Sequence, residues 1–218
     1  SIPDFHNTKK RYAAFLDTLA RDPVGRAASA AEEIAFLTAR QERGSLIVDD
    51  LAAGRLPLRV THNDTKLSNI LLDKTTGAFV CVIDLDTVMP GSSLYDFGDS
   101  IRTGACTAAE DEPDAERVDF GADMFRAYAE GFVEGTAGAL TDREIAMLPD
   151  GAYIITLEQA IRFLTDYLEG DVYYHTAYAD HNLVRNRTQI RMLMGMERDE
   201  AILRQAVAEL RQHRAMHG

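Results

Sequence analysis

Tryptophan is absent from the 218 residues, and cysteine occurs only at Cys81 and Cys106. Two cysteines make neither a disulfide framework nor a cysteine-based zinc site, so the expected compartment is a reducing cytoplasm. No apolar run approaches the roughly 20 residues of a membrane helix, and Ser1-Ile2-Pro3-Asp4-Phe5-His6-Asn7 lacks the charged and apolar regions of a signal peptide. Basic residues are scarce: 23 Lys and Arg against 35 Asp and Glu leave a net charge of −12. A surface of that sign repels a phosphate backbone, so nucleic acid is not the expected partner and small molecules are. Glycine is thin at the amino end. Residues 1–57 hold only Gly25, Gly44 and Gly54, with no G-x-G and no alternating strand pattern, so nothing there can cover a nucleotide as a Gly-rich loop does.

An apolar content of 46% over this length supports one full core. Helical periodicity dominates. Tyr12, Phe15, Leu16 and Leu19 form one stripe that ends near Asp22-Pro23, and Ser29-x-x-Glu32 predicts a capping box for a second helix running toward Gly44. Residues 107–115 are acidic, contain Pro113 and read as a loop. Phe120, Met124, Tyr128 and Phe132 space as a helix face. Thr141-x-x-Glu144 predicts another capping box, Pro149 an interruption, and residues 150–169 a long helix. The last forty residues read as two helices, the first bearing Arg185, Arg187 and Arg191.

Strand character is confined to the middle. Leu58-Arg59-Val60-Thr61, Asn69-Ile70-Leu71-Leu72 and Phe79-Val80-Cys81-Val82-Ile83 are β-branched or apolar, and Thr75-Thr76-Gly77 fits a hairpin turn between the last two. The chemistry-bearing residues sit in that region. His62-x-Asp64-x-Lys66-x-x-Asn69 puts a carboxylate, an ammonium and an amide on one loop, and fifteen residues after Asn69 the third strand ends at Asp84, followed by Asp86. Phosphoryl transfer needs a carboxylate near the attacking hydroxyl, oxygen ligands for Mg²⁺ and a cation near the migrating group. The spacing matches the kinase catalytic loop. Asp64 is the expected base and Lys66 the cation that approaches the γ-phosphate, with Asn69 and Asp84 as metal ligands. His62 is expected to brace the loop. Taken singly, Asn63-Asp64 is an ordinary turn pair and Lys66 a surface lysine; the joint spacing is what points to chemistry.

Residues 58–102 resemble the kinase-like family of aminoglycoside phosphotransferases and choline kinases. The segments His62-Asn63-Asp64-Thr65-Lys66-Leu67, residues 82–91 and Tyr95-Asp96-Phe97-Gly98-Asp99-Ser100-Ile101-Arg102 look most similar to the N-acetylhexosamine 1-kinase branch, as do residues 157–168. The resemblance implies an α+β, mainly α-helical fold, a protein-kinase-like C-terminal lobe with a small β-hairpin carrying the catalytic loop. Residues 1–57 would be a helical lead-in, 58–102 the catalytic and metal-binding segment and 103–218 a helical substrate-binding subdomain. It implies Mg²⁺ and ATP as cofactors, a sugar as substrate, and an N-terminal nucleotide-clamping lobe that this chain lacks, so that the chain alone is expected to be inactive. Asp96 then looks structural although Asp96-Phe97-Gly98 spells a metal-binding triplet, and Asp86 adds a further metal contact. The resemblance implies substrate-binding roles for Arg162, which faces the sugar, for Asp166, one turn after it, and for Tyr173, just beyond the helix. By composition alone Arg162 and Asp166 read as an intrahelical ion pair.

Three alternatives stay open. The phosphoryl acceptor could be another small alcohol such as choline, homoserine or an aminoglycoside. An isolated lobe could fold and catalyse nothing. Residues 79–88 also resemble the first motif of haloacid-dehalogenase phosphatases, which would make Asp84 a nucleophile and Asp86 a general acid.

Overall fold

The computed structural model describes residues 2–217. It is 62% helical with four short strands among the described residues, which gives the expected α+β, mainly helical class. Helix α1 (Thr8–Arg21) starts where the Asn7 side chain accepts the Lys10 N–H and ends at Asp22, whose φ of 37° is left-handed. It buries Tyr12 and Phe15, the core half of the expected stripe.

The second expected helix is three short ones, α2 (Ala31–Thr38), α3 (Gln41–Gly44) and α4 (Leu46–Ala52). The Ser29 capping box does not form. The Ser29 hydroxyl instead donates to the Arg26 carbonyl and meets the Tyr167 hydroxyl at 3.1 Å, and residues 27–30 wind as a 3-10 turn. The break after Thr38 places Gly44 against Tyr12, where an added Cβ would lie 2.9 Å from the ring.

Strands β1 (Arg59–Thr61), β2 (Ile70–Leu72), β3 (Phe79–Val82) and β4 (Met89–Gly91) form two antiparallel ribbons, β1 with β4 and β2 with β3. β4 has no strand signature in the sequence and forms by pairing with β1. Its Pro90 is tolerated because a two-stranded ribbon has a free edge. The β2–β3 turn is built by Asp73, whose Oδ1 accepts the Thr75 and Thr76 N–H groups and the Thr76 hydroxyl, with Gly77 at φ 69°.

Behind the ribbons lies α8 (Leu148–Glu169), buried almost all round as a central helix must be. Pro149 does not interrupt it. It occupies the first turn, where its missing N–H has no intrahelical acceptor. Helices α1, α5 (Ser93–Gly104) and α9 (His181–Arg198) pack around α8. The α5–α8 crossing rests on two glycines: a Cβ at Gly98 would lie 2.3 Å from the Gly151 carbonyl, and one at Gly151 2.7 Å from that of Leu94. The glycine of Asp96-Phe97-Gly98 is therefore a packing residue.

The remaining helices are α6 (Ala122–Gly135), α7 (Asp142–Ala146) and α10 (Glu200–His217). The Thr141–Glu144 capping box is present in both directions. The α6 stripe is shifted from the one expected. Phe120 precedes the helix in a bridge to Cys106, Met124 is exposed, and the fully buried positions are Phe125 and Ala129. No helix among the described residues is long and apolar enough to cross a membrane.

Candidate active site

β1 runs into the loop at His62, and the loop is held from three sides. The Asp96 carboxylate, in the first turn of α5, accepts the backbone N–H of His62 at 2.9 Å and of Asn63 at 2.7 Å. Burial pushes the Asp96 carboxyl above its ordinary range, and these two donors pull against that shift. The Asn63 amide donates to the carbonyls of Thr61 and Thr87, which lets Asn63 hold φ 64°. His62 closes the third side: its Nδ1 accepts the Asp64 N–H at 3.3 Å and its Nε2 donates to the Ile83 carbonyl at 3.0 Å. That pattern uses the neutral Nε2–H tautomer for bracing. Asp96 and His62 both hydrogen-bond the loop, and two further contacts had no local signature: Thr87 Oγ1 donating to the His62 carbonyl and Thr103 Oγ1 accepting the Leu67 N–H.

The loop and hairpin bring together Asp64, Lys66, Asn69 and Asp84. Lys66 Nζ lies 2.8 Å from Asp64 Oδ2 and 3.8 Å from Asp84 Oδ2. The Asn69 amide donates to the Asp64 carbonyl at 2.8 Å and to its Oδ2 at 3.0 Å. The hydrogen bond that Lys66 donates to Asp64, with Asp84 and Asp99 further off, holds the Lys66 ammonium above its ordinary pKa. Asp84 arrives through the bond from Ile83 N–H to the Asn69 carbonyl, at φ 61°, a left-handed turn that aspartate tolerates. A cation already bridges the two carboxylates, so the cradle accepts positive charge, and its hard oxygen atoms are the donors Mg²⁺ takes. Asp86 stands exposed in the next 3-10 turn, and no group of three or more His, Cys, Asp or Glu gathers as a metal centre among the described residues. Asn69 and Asp84 would be the residues to hold a Mg²⁺ ion, whose charge would neutralise phosphate oxygens; Asp86 stands outside this pair.

A second cavity, of about 250 Å³, opens beside α8 and is lined by Arg11, Arg162, Thr165, Asp166, Tyr173 and Tyr174 among others. Arg162 is half-buried, donates to Gln159 Oε1 at 3.3 Å and lies over the rings of Tyr173 and Tyr174 at 5.8 and 5.6 Å. No ion-pair partner is found for it among the described residues, so the intrahelical pair with Asp166 does not form. The Asp166 carboxylate instead accepts the backbone N–H groups of Val172, Tyr173 and Tyr174 and the Asn182 amide. It is 3% exposed and anchors the loop that carries Tyr173. Arg11 and Tyr174 were not singled out by the sequence; Arg11 lies on a helix face that reads as solvated, 151 positions before Arg162.

Two carboxylates, an ammonium and an amide gathered on one loop and hairpin of a mainly helical fold fit the site of a phosphotransferase. The two antiparallel ribbons exclude the parallel sheet that a dehalogenase-type nucleophile would open. The chain matches the Phosphotransferase enzyme family over residues 3–131, more than half of its length, and belongs to that family. It is a phosphotransferase of the small-molecule kinase type.

Proposed function

We propose that the protein is the catalytic lobe of an ATP- and Mg²⁺-dependent kinase that phosphorylates a sugar hydroxyl, the anomeric hydroxyl of an N-acetylhexosamine being the best candidate. One observation carries the reading: Lys66 Nζ stands between Asp64 and Asp84 while Asn69 is hydrogen-bonded to Asp64. The acceptor hydroxyl would give its proton to Asp64 as its oxygen bonds the γ-phosphorus and the bond to the β-phosphate oxygen breaks. Lys66, released from Asp64, would follow the charge on the migrating group. Asn69 and Asp84 would hold Mg²⁺, which neutralises phosphate charge when bound. Arg162 offers a planar fork of donors to a sugar oxygen, and Tyr173, 73% exposed, a ring face to the sugar.

The hairpin supports a partner lobe. Leu58, Val60, Leu71, Phe79, Val80 and Leu85 are exposed on and beside it, Val60 at 82%. Soluble proteins rarely leave so much apolar surface uncovered next to a polar site. A nucleotide-clamping lobe and the adenine of ATP would cover it, and on this reading residues 1–218 alone turn over negligibly. The free Cys81 and Cys106 fit a cytoplasmic setting.

The test is a phosphorylation panel of N-acetylhexosamines, other hexoses, choline, homoserine and aminoglycosides, run with a form that carries the nucleotide-clamping lobe. Sugar activity should fall at least about 10²-fold in Asp64→Asn. Arg162→Ala and Tyr173→Ala should raise the sugar KM and leave the ATP KM unchanged. Wild-type turnover in Asp64→Asn would remove the mechanism, and activity confined to amino alcohols would remove the sugar.

A further inference from the structure

Between the loop and the cavity stands an imidazole that neither site needs for its chemistry. His6 precedes α1, and its side chain is 10% exposed. Its Nδ1 lies 3.2 and 3.3 Å from the two carboxylate oxygens of Glu158, and its Nε2 lies 3.2 Å from the carbonyl of Asn63. The rings of Phe5 and Tyr95 pack on it at 4.7 Å each. Glu158 sits on α8 one turn before Arg162, at 3% side-chain exposure. Asn63 is the left-handed residue immediately before Asp64. One imidazole therefore joins the cavity helix to the turn that aims the carboxylate.

Both ring nitrogens face acceptors. A neutral imidazole has one N–H, so it could satisfy only Glu158 or Asn63 and would turn a lone pair toward the other oxygen inside a buried site. With two protons it donates to both. Arg11 Nε lies 3.9 Å from Glu158 Oε1, so a guanidinium and the ring both face this carboxylate. The other groups around the ring are Asp99 and Asp96 on α5, the Tyr95 ring packed on it, and Arg11 on α1, the cation beside the pair among the described residues. Burial alone would lower the His6 pKa; Glu158, the Asn63 carbonyl and Asp99 together more than offset it, and the net shift is upward from 6.5.

We propose that His6 is a positioning residue for phosphoryl transfer, which as an imidazolium clamps the Asn63 carbonyl to Glu158 and so fixes the direction of Asp64. The inference rests on the kinase reading, but its structural arms do not depend on turnover. A group whose pKa is raised on folding contributes stability below its unfolded value, and that contribution is lost as pH rises through the folded value. The clamp is thus closed at and below pH 6.5 and opens on the alkaline side.

The experiment has two arms. In the chain itself, ring ¹⁵N spectra should show both His6 nitrogens protonated at pH 6.5 and a single titration above it. His6→Gln should speed amide exchange at Asp64 and Thr65 about tenfold relative to α8. Glu158→Gln should do the same, and the double variant should add little, because both changes break one link. In the lobe-bearing enzyme, His6→Gln should lower kcat about tenfold with both KM values unchanged and should abolish the alkaline limb that wild type shows in kcat. A singly protonated ring at pH 6.5, unchanged loop exchange, or an identical pH profile in His6→Gln would each overturn the proposal. Absence of kinase activity in wild type, with the spectra and exchange as expected, would instead overturn only the kinase reading.

Discussion

Replacing Asp96 by alanine separates bracing from metal binding. The carboxylate is the acceptor for two loop N–H groups, those of His62 and Asn63, at 2.9 and 2.7 Å. A buried donor left without a partner costs about 1–3 kcal/mol, so two of them cost about 2–6 kcal/mol less whatever water recovers. Against a typical total of roughly 5–15 kcal/mol that is a large loss, and at roughly 2–4 °C per kcal/mol for a chain of this size it lowers Tm by about 5–20 °C. Asp84 is the control. Its side chain is 46% exposed and its φ is 61°, so asparagine, which tolerates the left-handed region, is a cleaner replacement than alanine. Asp84→Asn should shift stability by no more than about 0.5 kcal/mol and still abolish Mg²⁺-nucleotide turnover. Thermal melts by circular dichroism, with amide exchange at His62 and Asn63, read both effects. A stable Asp96→Ala with slow exchange at those amides, or an unfolded Asp84→Asn, would refute the assignment of roles.

Glu144 supplies a pH test of the fold. Burial alone would raise its carboxyl, but Arg59, the Thr141 N–H and Ser93 outweigh that and hold it at about 2 against an ordinary 4.5. Its pKa is depressed on folding, so its contribution, about 3 kcal/mol at full ionisation, is present above pH 4.5 and is lost as pH falls toward 2. Glu144→Gln should therefore flatten the acid limb of stability, and an unchanged acid limb would show that the Arg59 contact carries little. The apolar hairpin should drive self-association of the chain alone. Val60→Lys with Phe79→Lys should shift sedimentation to monomer without changing Tm, whereas a monomeric wild type would remove the uncovered-surface argument.

The chemistry-bearing loop was legible because it is local. Asp64, Lys66 and Asn69 lie within six positions, and the hairpin that returns Asp84 is announced by β-branched runs and by Thr75-Thr76-Gly77. Helix existence was legible for the same reason, and the Thr141 capping box formed as read because all of its partners lie within four residues. The Ser29 box had an equally good local pattern and failed, because Tyr167 and Arg26 offered its hydroxyl other partners. Arg162 and Asp166 have ideal intrahelical spacing, yet Asp166 is drawn to three backbone N–H groups beyond the helix end.

By itself, then, the sequence determined what periodicity and short-range spacing can encode: a mainly helical fold, a small hairpin, and two carboxylates, an ammonium and an amide on neighbouring strands and loop. Tertiary structure alone decided where long-range partners sit. It turned the glycine of Asp96-Phe97-Gly98 into a helix-crossing contact with Gly151, made a strand of Met89-Pro90-Gly91 by pairing it with β1, and set His6 between Glu158 and Asn63. The physical reason is common to all three. A buried polar group or a close backbone approach is satisfied by whichever atom the packing brings near, and separations of 53, 28 and 152 positions leave no periodic trace in the chain.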